Sequence, residues 1–76
     1  MEREIIYGVV DKTGNCDSYF GFFKNLHDAK KEVEVQANRL KEDLGMMNIV
    51  IKDDRAVTEE NRIETVVIII HNYVLR

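Results

Sequence analysis

Apolar residues recur along this chain in two rhythms, one of period two and one near 3.6, and the two switches between them divide it into three parts that hold five predicted elements. Glu4 to Val10 (EIIYGVV) is rich in β-branched and aromatic residues and predicts a strand that is apolar on both faces. Gly8 interrupts it where another backbone or a bulky side chain can approach closely. Asp11-Lys12-Thr13-Gly14-Asn15 predicts a turn, with Asp opening it and Gly in its later part. Cys16 to Lys24 (CDSYFGFFK) predicts the second strand of a hairpin. Strict alternation puts Phe20 and Phe22 on one face with Cys16 and Ser18, and Tyr19, Gly21 and Phe23 on the other.

The period then changes. Leu26, Ala29, Val33, Ala37, Leu40 and Leu44 are spaced by three or four and form one apolar stripe on a helix. Asn25 is a suitable N-cap, Asp28 favours the positive end, and Gly45 is a suitable stop. Charged residues such as Lys30, Lys31, Glu34 and Arg39 occupy the other face, together with Val35, an exposed apolar exception.

Period two returns at Met46 to Lys52 (MMNIVIK), which predicts a third strand. Asp53 to Asn61 (DDRAVTEEN) reads as a polar loop. Arg62 to Leu75 predicts a long fourth strand whose centre, Val66 to Ile70, is apolar on both faces. These elements predict a single α+β domain over residues 1–76. Its order is ββαββ, an antiparallel four-stranded sheet with one amphipathic helix packed on one face. A single helix covers one face, so the apolar centre of the last strand predicts a cover for the other: a second copy, a partner protein, or a strongly curled sheet. A homodimer is the expectation.

Composition narrows the functions. At 76 residues and 33% charged, the chain is globular in composition but small, with about 60% of its unfolded surface to bury. Cys16 is its one cysteine, which rules out an internal disulfide and fits a reducing, cytoplasmic setting. Met1-Glu2-Arg3-Glu4 has no signal-peptide character, and Val66–Ile70 is far short of a membrane span. The net charge of −3 is spread evenly, with no basic stretch of the kind that binds nucleic acid.

Chemistry-bearing motifs are absent. There is no phosphate loop, dinucleotide fingerprint, nucleophile elbow or HExxH helix, and no Cys/His framework for zinc. No cofactor or metal is expected, and the chain reads as non-catalytic. His71, beside Tyr73 on the last strand, is the one alternative: a small ligand-binding or enzymatic site at a dimer interface. Asp53, Asp54, Glu59 and Glu60 crowd the predicted loop without the spacing of a calcium-binding loop, and could present acid to a basic partner. Tyr19, Phe20, Phe22 and Phe23 are four of the chain's six aromatics. The strand register predicts that Tyr19 and Phe23 face away from the helix as partner contacts, with Val35 a further exposed contact.

The segment Phe22 to Lys31 (FFKNLHDAKK), following a hairpin and opening an amphipathic helix, resembles small hairpin–helix proteins of phages and mobile elements. Some of these inhibit host defence, anti-CRISPR proteins among them. HicB-type antitoxins share a similar opening, but this chain lacks their Pro- and Gly-rich segment after the second strand. The resemblance implies a binding protein, phage-encoded, that inhibits a host enzyme or defence complex by occupying it. The alternative is an assembly subunit that pairs through its long last strand.

Overall fold

The computed structural model describes residues 4–14 and 16–75, with the side chain of Leu75 excepted. Part of the predicted Asp11–Asn15 turn and most of the Met1–Glu4 segment therefore lie outside the described residues. The elements are β1 (Glu4–Asp11), β2 (Ser18–Phe23), α1 (Leu26–Leu44), β3 (Ile49–Ile51), β4 (Arg55–Glu60) and β5 (Ile63–Leu75). All strand pairs are antiparallel, in the order β2-β1-β5-β4-β3.

The sheet has five strands where the hydrophobic pattern predicts four. The residues read as a polar loop, Asp53 to Asn61, contain β4. Its apolar content is two adjacent residues, Ala56 and Val57, both buried, with charged residues at each end. That pattern carries no period-two signal. The strand forms because β5 is long: beyond Ile68 toward its N-terminus it has no partner in β1, and β4 pairs with it from Ile69 to Ile63. Tertiary pairing overrides local composition here.

The β4–β5 hairpin closes on Asn61 and Arg62, both with positive φ, 52° and 67°. This is the two-residue turn whose twist matches that of the strands. Asn tolerates the left-handed region, whereas a long side chain such as Arg costs about 1–2 kcal/mol there. Arg62→Gly is therefore expected to raise stability by about 0.5–1 kcal/mol after the extra entropy of an unfolded glycine is subtracted. Urea denaturation checks this; an unchanged or lower midpoint would mean that the Arg62 side chain contributes more than its backbone strain costs.

Helix α1 forms where the stripe predicts it. Asn25 caps it by accepting the His27 N–H on Oδ1 at 2.8 Å, and Gly45 ends it in the left-handed region at φ 65°. Ala29, Val33 and Ala37 are buried against the sheet, and Leu40 packs beside them. Leu26 and Leu44, at the ends of the stripe, stay exposed. Val9, Ile49, Ala56, Val67, Ile68 and Ile70 complete the core beneath the helix.

Two bulges shape the sheet. Val9 pairs with Gly21 and Val10 with Tyr19, so β2 carries Phe20 as an extra residue. Ala56 pairs with Ile68 and Val57 with Val66, so β5 carries Val67 as an extra residue. Val67 thereby joins Ile68 in the core, which accounts for part of the doubly apolar run. On the helix-free face, Val10 and Val57 are still buried, and Val66 and Ile69 are half-buried beside them.

Candidate functional site

The bulge in β2 decides which aromatics reach the surface. With Phe20 looped out of the register, Tyr19 pairs with Val10 and Phe22 with Gly8. Residues paired directly across an antiparallel ladder share a face. Tyr19 and Phe22 therefore lie together on the helix-free face. Phe20 and Phe23 turn the other way and pack against the core beneath α1.

On the next strand, β5, His71 pairs with Gly8 and Tyr73 with Ile6, again on the helix-free face. The result is a compact aromatic cluster. Tyr19 and Phe22 stack with ring centroids 4.9 Å apart and planes at 23°. Tyr73 leans on both, at 6.3 Å from each. The His71 ring lies 6.3 Å beyond Tyr73. Stacked and tilted ring pairs of this kind each contribute about 0.5–1.5 kcal/mol beyond burial. Gly8 is the floor of the cluster. A Cβ there would come within 3.0 Å of the Tyr73 ring, 3.2 Å of Phe22 and 3.3 Å of Tyr19. The close approach expected from Gly8 in the sequence is this one, and it lets three rings rest on bare backbone.

The cluster remains open to solvent: Phe22 is 59% exposed and Tyr19 46%. The hydroxyls of Tyr19 and Tyr73 hydrogen-bond at 2.5 Å, which locks the two rings together. That bond raises the Tyr73 phenol above its ordinary value of 10.0, with partial burial adding to the effect. The neutral form is favoured in the folded state. The stability this contributes is present below the ordinary tyrosine range and is lost as pH rises through the raised Tyr73 value.

The other half of the same face is charged. Lys52 pairs with Glu64 at 3.1 Å, and Arg55 bonds the Asp54 carboxylate at 3.0 and 3.3 Å. The Arg55 guanidinium holds Asp54 below the usual carboxylate range, and the Lys52 ammonium does the same for Glu64. The helix-free face is thus aromatic over β1, β2 and the C-terminal half of β5, and charged over β3, β4 and the N-terminal half of β5.

Of the residues singled out from the sequence, Tyr19 lies in the cluster. Phe23 does not, since the bulge turns it to the helix side. Val35 is exposed at 51%, but on α1, the opposite side of the sheet from Tyr19. The four acidic residues do not form one loop. Asp53 and Asp54 sit at the β3–β4 turn, with Asp53 bridged to Lys30 at 3.0 Å. Glu59 and Glu60 end β4, separated from them by the length of a strand, about 17–20 Å. Cys16 is exposed and precedes β2, so it lies outside the strand that the Cys16 to Lys24 pattern predicts. Phe22 is the contact that strict alternation misses; a glycine opposite an aromatic-rich strand is the signal that points to it.

Among the described residues, His71 makes no hydrogen bond or ion pair to a carboxylate, and no group of three or more His, Cys, Asp or Glu side chains is placed to hold a metal ion. Among them also, no helix is long and apolar enough to cross a membrane. Compared with family models, curated proteins and solved structures, the chain matches none.

Proposed function

We propose that this chain is a non-catalytic protein-binding module whose docking surface is the Tyr19–Phe22–Tyr73 cluster. The observation that carries the reading is the open, interlocked trio of rings on the face the helix leaves bare. Large rigid aromatics that are already packed against one another lose little side-chain entropy on binding, and such residues dominate the energetics of interfaces. The ion pairs beside them suit the polar rim of such an interface. With the resemblance of Phe22–Lys31 to hairpin–helix proteins of phages, the natural form of the activity is an inhibitor that occupies a host enzyme or defence complex. The single thiol, Cys16, fits action in a reducing cytoplasm.

The test is affinity capture from nuclease-treated extract of the native host, read by mass spectrometry, with wild type, Phe22→Glu and Val35→Glu side by side. The expected result is one dominant protein held by wild type and by Val35→Glu, and lost with Phe22→Glu. Retention by Phe22→Glu, or loss with Val35→Glu alone, would move the surface away from the cluster.

A further inference from the structure

The C-terminal part of β5 is a bare edge in the middle of the sheet. β1 pairs with β5 as far as Leu75, but β4 reaches β5 only as far as Ile69. The Ile70 N–H still finds the Asp54 carbonyl at 3.1 Å, where the chain turns away toward β3. Main-chain groups alternate sides along a strand, so Asn72 and Val74 point their N–H and C=O groups the same way as Ile70, with no strand among the described residues to meet them. The notch they face is a cleft of about 520 Å³, lined by Leu26 and Lys30 of α1, by Asp53 and Asp54, and by Ile70 to Tyr73.

We infer that this edge pairs with the same edge of a second copy, joining two five-stranded sheets into one through an antiparallel β5–β5 ladder. Three observations select a second copy. The first is self-complementarity: with the two-fold axis at Tyr73, Asn72 of each copy lies opposite Val74 of the other. Both residues direct their main-chain groups outward, so this register supplies about four inter-chain hydrogen bonds and needs no other sequence. The second is charge. His71-Asn72-Tyr73-Val74-Leu75 holds no Asp, Glu, Lys or Arg, so two copies meet without like charges opposed. The charges of the notch are already paired internally, Lys30 with Asp53 and Arg55 with Asp54. The third is apolar exposure beside the edge. Val74 is 54% exposed, its cross-strand neighbour Ile5 41%, and Leu26 39%. The natural guards of an edge, an inward lysine, a proline or a bulge, are missing from His71–Leu75. Pairing places the two Tyr73 residues directly opposite each other, so the aromatic clusters of both copies become one continuous surface.

This ladder uses main-chain groups at the strand edge, and it stands independently of the docking surface proposed above. The test is sedimentation equilibrium from micromolar to near-millimolar protein, together with amide hydrogen exchange, on wild type, Asn72→Pro, Val74→Lys and Phe22→Glu. Wild type is expected to rise with concentration from the monomer mass of 8.9 kDa toward twice that value, with the Asn72 and Val74 amides slowing in step. Asn72→Pro removes an N–H that strand alternation points away from β1, and Val74→Lys puts a charge at the edge. Both are expected to stay monomeric, and the lysine variant decides if the proline variant fails to fold. Phe22→Glu is expected to dimerise like wild type even if it loses its partner. A wild type that stays monomeric throughout would overturn the inference and leave the edge to a foreign strand. A dimer that survives Val74→Lys with freely exchanging Asn72 and Val74 amides, or that is lost with Phe22→Glu, would place self-association elsewhere.

Discussion

Ile68→Ala is expected to destabilise the domain by about 2–5 kcal/mol. A domain of this size has a total stability of roughly 0.05–0.15 kcal/mol per residue, about 4–11 kcal/mol in all, so the loss is a large fraction of the whole. Ile68 is the largest of the fully buried side chains and sits on the central strand of the sheet. It is held between Asp11 on β1 and Ala56 on β4. Because the ladders pin the backbone on both sides and the neighbour on β4 is already an alanine, little can move in to fill the cavity. The spread of measured costs depends on such collapse, and this site favours the upper part of the range. Urea denaturation followed by circular dichroism measures it. Ile63→Ala, at a position 67% exposed near the hairpin turn, is the control and is expected to shift stability by less than about 0.5 kcal/mol. A loss at Ile68 of under about 1 kcal/mol would mean that the core beneath α1 repacks, contrary to the density expected of protein interiors.

The core is more legible in the sequence than the surface is, for physical reasons. Helix α1 is legible because its stripe, its Asn25 cap and its Gly45 stop agree with one another. β1, β3 and β5 are legible because β-branched runs bury side chains on a pleated sheet. β4 is not: Ala56 and Val57 are adjacent, their flanks are charged, and what makes them a strand is the surplus length of β5 many residues away. The candidate site fails at a single point. Alternation from Ser18 to Phe23 assigns Phe23 to the open face, and one bulged residue, Phe20, hands that place to Phe22. A bulge inverts every face assignment beyond it, and it is set by how β2 must twist against β1, which no local pattern records. Tyr73 was legible as the neighbour of His71, but its contact with Tyr19 spans 54 residues and depends on that same bulge.

Gly8→Val is the substitution expected to separate the docking surface from the fold. Its new side chain would rise where the rings of Tyr73, Phe22 and Tyr19 now rest, within 3.0–3.3 Å of all three. Those atoms are the ends of side chains at the surface, so they can swing outward. Crowding of this kind costs about 1–3 kcal/mol in a closed core, but here the rings have solvent to move into. Valine also suits a strand better than glycine by a sizeable part of the ~1 kcal/mol span of strand preference. The two effects offset, and stability is expected to change by less than about 1 kcal/mol. The cluster itself is expected to open. Separation of the Tyr19 and Tyr73 hydroxyls removes the bond that raises Tyr73, so a spectrophotometric titration should show Tyr73 falling back toward the ordinary value. Partner binding should weaken at least about 30-fold, since disruption of a central aromatic anchor costs about 2 kcal/mol or more. Tyr19→Phe refines the test, because it returns Tyr73 toward its ordinary value while leaving the ring stack in place, and it should therefore retain most of the affinity. Were Gly8→Val to release Tyr73 and still bind as tightly as wild type, the rings would be packing for the fold alone and the partner would be held by another face.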